Sequence, residues 1–379
     1  MYESIEIPFN KPFLAGKEID YIKETIKLGK ISGNGHFTKK CHTFFEQKYK
    51  FNKVLLTTSC THSLEMAAIL LNLKAGDEVI IPSYTFVSTA NAFIMHGAKV
   101  IFADSNEQNP NINETSIEPL INKRTRAIVP VHYAGIACNM ELLMDLAAKY
   151  NLFIIEDAAQ AINSYYKNKP LGGIGHLGAL SFHETKNINS GEGGLLIIND
   201  MSFIERSEII WEKGTNRSAF FRGELDKYNW VDIGSSYLPS EIIAAFLYAQ
   251  LECLEKIQAK RIKLWNFYYE RLKIHEEHGI FRMPYIPDYA TNNAHIFYIL
   301  LPNIKTRTGL MDHLKKNSIL SIFHYLSLHK SPFFIDKHDG RELPNSDKYS
   351  DSLLRLPLFF ELQESHVMKI CDKIDDFFR

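Results

Sequence analysis

Asp157 closes the apolar run NLFIIED, and Lys186 follows a second run in ALSFHETKN. A carboxylate at the end of an apolar strand needs a partner, because an unpaired buried charge is costly. Two partners fit. One is the backbone N–H groups of a following helix, which Asp157 would cap. The other is a protonated heterocyclic nitrogen, whose charge the carboxylate would hold in place. Lys186 also has two readings, a solvated or phosphate-directed ammonium and an amine that condenses with an aldehyde. The turn Gly191 to Gly194 follows and leads into LLIIND. Glycines there let the backbone approach a ligand, or simply tighten the turn.

Ser59, Cys60 and Thr61 lie between KVLLTT and a helical stretch. N–H groups at a helix start attract phosphate, and Thr61 adds a hydroxyl; an ordinary Ser/Thr cap is the alternative. Ser181, at the end of ALS, offers a further hydroxyl. Phe86, after IIPSYT, is either core or the cover of a flat ring. Taken together these positions supply an acid partner, an amine, a phosphate cradle and an aromatic cover. No GxGxxG follows the first strand and no GxxxxGK[ST] occurs, which removes support from nicotinamide-binding and ATPase readings. No CxxC pair, HExxH or His/Cys cluster has metal-ligand spacing, so no metal is expected.

The elements that must position these residues are written as short apolar runs: KVLLTTS, DEVIIPSYT, AKVIFADS, TRAIVPVHYAG, NLFIIEDAA, LGALSFH and GGLLIIND. Helix-like stretches such as THSLEMAAILLNL and ELLMDLAAKY separate several of them. That alternation predicts an α/β fold with a mostly parallel central sheet covered on both faces. Ligands of such sheets gather beyond the carboxyl ends of the strands, where the candidate residues fall. The large domain should span Val54 to Gln250. Ahead of it, Ile31 to Gly35 reads as loop and Thr38 to Tyr49 as helix. Glu241 to Leu272 reads as long helical sequence with mixed charge, linking the halves. After Pro284, the order strand, helix, strand, with more helix near the end, predicts a smaller α+β domain. The expected division is therefore 1–250 and 251–379. Lys330 to Tyr349 is polar and reads as a mobile loop.

The 379 residues correspond to roughly two and a half domain units. With 45% hydrophobic and 23% charged residues, the chain has material for a sizeable core. Forty-three basic against 44 acidic residues leave a charge of -1, which gives no general support for nucleic-acid or anionic-membrane binding. No apolar run approaches the ~20 residues of a membrane span, and MYESIEIPFNKPF lacks the features of a secretory signal. The cysteines, Cys41, Cys60, Cys138, Cys253 and Cys371, are dispersed and odd in number. They are expected to be free thiols in the reducing cytoplasm.

The segments SCTHSLEMAA, IPSYTFVSTANAF, IIEDAAQ, SFHETKN, GEGG and LRLPLF resemble, in order and over almost the whole chain, the DegT/DnrJ/EryC1/StrS family of fold-type I pyridoxal-phosphate enzymes. The resemblance implies pyridoxal 5'-phosphate as cofactor and Lys186 as the lysine that carries it. It implies Asp157 on the pyridine nitrogen, Gln160 near the phenolic oxygen and Phe86 stacked on the ring. Cys60, Thr61 and Ser181 would hold the phosphate, and His329, in HYLSLH, would stand on the substrate side or serve as a structural loop histidine. Homodimers with sites at the interface are implied as well. The stretches EKGTNRS, FFRGELDKYNWVDIGSSYL and FHYLSLH resemble a narrower subgroup using L-glutamate and a dTDP-linked 4-keto-6-deoxy sugar. Members acting on GDP- or UDP-linked sugars, or giving the gluco epimer, are the nearest alternatives, and a cofactor-binding homologue without turnover is a remote one. Many members carry Asn and Arg in a G-x-N-x-R segment. Here Ser236 and Leu238 occupy those places, which puts the usual partner-chain phosphate contact in question. Related dehydratases replace the lysine by histidine, so retention of Lys186 favours transamination.

Overall fold

All seven apolar runs become strands of one sheet. The structure, a computed structural model, describes residues 5–379. Helices α1 (Glu18–Lys27) and α2 (His36–Tyr49) lead into β1 (Lys53–Thr57). There follow α3 (Cys60–Leu70), β2 (Glu78–Pro82), α4 (Val87–Ile94), β3 (Lys99–Ala103), β4 (Thr125–Ile128), α5 (Met140–Tyr150) and β5 (Phe153–Asp157). A short hairpin, β6 (Tyr165–Tyr166) and β7 (Lys169–Pro170), precedes β8 (Leu177–Ser181) and β9 (Gly194–Ile198). Next come α6 (Ile204–Trp211), α7 (Arg217–Phe221), α8 (Glu241–Glu252) and α9 (Leu254–Glu277). The remainder is β10 (Phe297–Leu300), α10 (Ile304–Lys316), β11 (Ile322–Phe323), α11 (Pro344–Ser352), β12 (Leu353–Leu356) and α12 (Glu364–Phe378).

The large sheet runs β1-β9-β8-β5-β4-β2-β3. Strand β9 is antiparallel to both neighbours, and all the other pairings are parallel. Every strand is apolar on both faces because both faces are covered. Val54, Leu56, Ile80, Ile154 and Ile197 point into a core with α2, α5 and α8. The alternate residues Leu55, Val79, Ile81, Ile155 and Leu196 point into a second core with α3, α4 and α6. Period-2 alternation within a strand builds these two layers. The architecture is a large mixed sheet with a smaller carboxyl-terminal part, as the fold-type I resemblance implies.

The smaller sheet, β10-β12-β11, is antiparallel. One face, with Phe297, Ile299, Leu354 and Leu356, packs on α9, α10 and α12. The other face, with Tyr298, Leu300 and Leu353, meets Tyr84 and Tyr133 from loops of the large sheet.

Several local expectations change. Glu241 to Leu272 is helical as expected but in two pieces: Cys253, at φ -101° and ψ 5°, separates α8 from α9. The expected division after residue 250 falls within the last turn of α8. Helix α8 is apolar and buried against α1 and α2, whereas α9 is mixed and turns to α12. Within SILSIFHYLSLH only Ile322 and Phe323 pair as strand. The polar stretch expected to be loop through Tyr349 becomes α11 from Pro344, where proline suits a helix start. LLRL, not anticipated as a strand, is the centre of the small sheet.

Candidate active site

The strands β1, β5 and β8 all end at one edge of the large sheet. Because β9 is inverted, it begins there: Thr57 and Ser181 both pair with Gly194. The chain reversal between β8 and β9 is therefore a wide loop at this edge. Its rungs run from the N–H groups of Phe182 and Glu184 to the carbonyls of Gly193 and Gly191, each at 2.8 Å. Gly191 has φ +77°, which glycine adopts at low cost. Lys186 hangs at the head of this loop. Next to it, Asn187 donates to the carbonyl of Asn293 at 2.8 Å and to Gln258 on α9 at 3.1 Å.

A cavity of about 640 Å³ opens over the edge, in the size range of small-molecule sites. It is lined by Cys60, Thr61, Phe86, Asp157, Gln160, Ser181 and Lys186. At its floor, Thr89 Oγ1 donates to Asp157 Oδ2 at 2.7 Å, and the N–H of Ala159 donates to Oδ1 at 3.2 Å. Burial pushes the Asp157 carboxyl above the usual range, against the pull of those hydrogen bonds and of Lys186 and His132. A cation placed beside it would relieve that cost. Burial likewise pushes the Lys186 amine down, with Cys60 and Asp157 opposing, which favours the neutral, nucleophilic form. The Cys60 thiol is pushed up by burial and stays protonated.

The phosphate cradle is the start of α3. Ser59 Oγ accepts from the His62 N–H at 3.2 Å, while the N–H groups of Cys60 and Thr61 have no partner among the described residues. Thr61 Oγ1 donates to Ser88 Oγ at 2.8 Å, adding a hydroxyl on the α4 side. Gly194 is what lets this helix start approach: a Cβ there would lie 2.4 Å from Ser59 C and O. Ser181 Oγ accepts from the His183 N–H at 3.3 Å beside the same corner. Phe86, 54% exposed, leads α4 at the cavity rim. Gln160 Oε1 accepts from the Ala134 N–H at 2.7 Å, and its Nε2 donates to Tyr325 Oη at 3.0 Å.

These residues fit pyridoxal phosphate. Asp157 would face the ring nitrogen, the α3 start with Thr61, Ser88 and Ser181 would receive the phosphate, and Lys186 would meet the aldehyde.

His329 is not brought into this cavity. Its Nδ1 lies 2.7 Å from Ser83 Oγ, its N–H donates to the same oxygen at 3.3 Å, and Asp347 lies 3.6 Å from Nε2. It pins the chain after β11 to the end of β2, a structural position. Ser236 is also elsewhere, bridged to Glu212, and Leu238 packs under the α3 core. Sequence reasoning missed the opposite wall: His295, His324, Tyr325 and Arg355, with Phe9 and Asn10 from the leading segment. His324 and Tyr325 stack with centroids 3.6 Å apart, and Tyr325 has φ +35°. His324 Nδ1 lies 2.7 Å from Tyr133 Oη. Burial holds His295 and His324 well below the usual histidine range, hence neutral.

A family description, DegT/DnrJ/EryC1/StrS aminotransferase family, matches residues 12–375. An uncharacterised protein of Methanocaldococcus jannaschii is 32% identical over 98% of this chain and 97% of its own. GDP-perosamine synthase of Escherichia coli O157:H7 is 29% identical over 98% of each. Among solved structures, an aminotransferase from Psychrobacter cryohalolentis superposes with a TM-score of 0.90 at 24% identity, covering 97% of this chain and 98% of that one.

Proposed function

The chain belongs to the DegT/DnrJ/EryC1/StrS aminotransferase family and is a pyridoxal-phosphate-dependent aminotransferase; from that premise we propose that it is a sugar-nucleotide enzyme. In this reading it moves the amino group of L-glutamate to C4 of dTDP-4-dehydro-6-deoxy-D-glucose. The products are 2-oxoglutarate and dTDP-4-amino-4,6-dideoxy-D-galactose, a precursor for a surface glycan such as common antigen or O-antigen. The observation that carries the chemistry is the meeting of Lys186 and Asp157 in one cavity at the strand ends. The motif FFRGELDKYNWVDIGSSYL supports the substrate, since it resembles the transaminases that make this product.

Bound pyridoxal phosphate supplies an electron sink for the carbon that loses or gains a proton. The Asp157 carboxylate, held by Thr89 and Ala159, would pair with the ring nitrogen and favour its protonated form. Lys186 Nζ would carry the proton lost by the α-carbon of glutamate to the cofactor carbon in the first half-reaction, and in the second would carry one from there to C4 of the sugar, ending each half in the protonation state it began with. Delivery from one fixed atom to one face of C4 sets a single product configuration. Gln160, locked between Ala134 and Tyr325, orients the phenolic side.

The homodimer is part of the proposal. The end of α7 and the stretch after it leave apolar groups in water, with Phe221 67% and Trp230 81% exposed, as a surface covered by a second copy would. So are the two-domain division (1–250 and 251–379) and a cytoplasmic location; among the described residues no helix is long and apolar enough to cross a membrane. The similarity to GDP-perosamine synthase favours a second reading, a GDP-linked 4-keto sugar with the same cofactor chemistry. Incubating holoenzyme with glutamate and each 4-keto sugar nucleotide, then assigning C4 by NMR, decides between them. An axial C4 amine on the dTDP sugar is expected; an equatorial one, or product from the GDP sugar alone, overturns the first reading.

A further inference from the structure

Strand β12 divides its side chains between two environments. Leu354 and Leu356 point into the core of the small lobe, and Leu353 points toward Tyr84, Tyr133 and Tyr298. By strand alternation Arg355 shares the face of Leu353, and it forms part of the cavity wall. A cation on that face is conspicuous for what it lacks. Tyr133, Tyr325 and Tyr84 stand around it as neutral phenols, and among the described residues no carboxylate forms an ion pair with it. Its Nη2 donates to the Phe323 carbonyl at 3.2 Å, and the Phe9 ring lies 4.7 Å from its guanidinium carbon. Its Nε is shut away from water with no hydrogen-bond partner among the described residues. A guanidinium donor left unused and away from water is costly until an anion completes it.

The charge of Arg355 reaches Lys186, whose amine it helps push down. Two anions enter the reaction: the carboxylates of the amino donor and the diphosphate of the sugar nucleotide. The donor's α-carboxylate is one bond from the carbon that meets Lys186 Nζ. The diphosphate is separated from C4 of the sugar by the width of the ring and the glycosidic oxygen. We propose that Arg355 is the anchor for the α-carboxylate of the amino donor and positions the donor's α-carbon against Lys186; this rests on the donor reading given above. The planar fork of arginine matches a carboxylate through two parallel hydrogen bonds. As the central strand of its sheet, β12 holds that fork fixed. Because the sugar bears no charge beside C4, Arg355 serves the donor half-reaction alone.

The test separates the half-reactions of holoenzyme. Wild type, Arg355→Lys and Arg355→Gln, each first checked for folding by thermal melting, are mixed with L-glutamate alone while cofactor absorbance is followed. A second amine, 4-aminobutyrate, is glutamate without its α-carboxylate. Loss of the paired charge should slow the glutamate reaction of Arg355→Gln by about 100-fold. Its rate with 4-aminobutyrate should stay level, so the preference for glutamate collapses. Conversion of the sugar by the pyridoxamine form should remain within about 3-fold of wild type. Binding of glutarate, measured by calorimetry, should weaken in Arg355→Gln and recover partly in Arg355→Lys. An unchanged glutamate preference overturns the proposal, as does a loss confined to the sugar half-reaction. If wild type does not respond to glutamate, the donor reading fails instead. Glutarate binding then decides alone: a loss in Arg355→Gln keeps the carboxylate site, and no loss removes it.

Discussion

The cavity has two walls, built in opposite ways. One is the edge of the seven-stranded sheet, where Asp157 and Ser181 end buried strands and Thr61 and Lys186 lie a few residues beyond them. The other is the small sheet and its flanking segments: His295 comes just before β10, His324 and Tyr325 just after β11, and Arg355 from β12. In the mechanism proposed above, the first wall carries the groups that any transamination needs whatever the substrate, and the second those that act on what is bound. A rigid, doubly covered sheet suits the invariant part of the task, and a smaller sheet tied through a tyrosine cluster suits the part that discriminates.

The largest effect should come from the first wall. Lys186→Ala is expected to lower turnover by about 10⁴-fold or more, since one residue supplies both covalent anchor and proton carrier. The absorbance response to glutamate should vanish, and its persistence would move the chemistry off this wall. Asp157→Asn should cost on the order of 10²–10³ in the rate of both half-reactions, as expected for a lost charge partner at a developing negative centre. A defect in only one half would assign Asp157 to substrate instead. For Gly194→Ala, the new methyl would press on the Ser59 carbonyl carbon and Cys60 nitrogen at 2.4 and 2.5 Å. Denaturant unfolding should show a loss of about 1–3 kcal/mol, with weaker cofactor retention.

On the second wall the expected effects are smaller and pH-dependent. The folded pKa values of His295 and His324 lie well below 6.5. Their contribution to stability is therefore complete above about pH 6.5 and declines as pH falls below it. His324→Gln should flatten part of that decline in melting temperature against pH; an unchanged slope would remove His324 as its source. The smallest effect should be His329→Asn, about 1 kcal/mol of stability from the lost Ser83 contacts. The KM for the sugar nucleotide should not move, and a several-fold rise would return His329 to the substrate side.

The two walls also differ in how far the sequence discloses them. A strand buried on both faces must be apolar throughout, so each of the seven runs announces itself, and a polar residue at its end stands out. Asp157, Ser181 and Lys186 are legible for that reason. Strand β11 has only two residues, too few for a period to show. Arg355 lies in LLRLPL, where one charge interrupts an apolar run; the interruption was the available signal, but its meaning depends on which face β12 turns to the cavity. His324 and Tyr325 stand in the same FHYLSLH stretch as His329, and only tertiary packing distinguishes the cavity pair from the strut. The break between α8 and α9 is equally tertiary, since helical sequence continues across Cys253 while the buried partners change.

The inverted strand β9 has a consequence for how the site opens. A crossover helix could fray without disturbing the sheet, but the Lys186 loop is closed by rungs that continue into the pairing of β8 with β9. Strand β9 is itself enclosed between β1 and β8. The outer rung, between exposed Glu184 and Gly191, can fray toward solvent, but the inner one at buried Phe182 is continuous with the enclosed β8–β9 pairing. The Phe182 amide should therefore exchange on the slow timescale of the sheet and the Glu184 amide much faster, so the reactive lysine rides on a mobile tip with a base as durable as the fold.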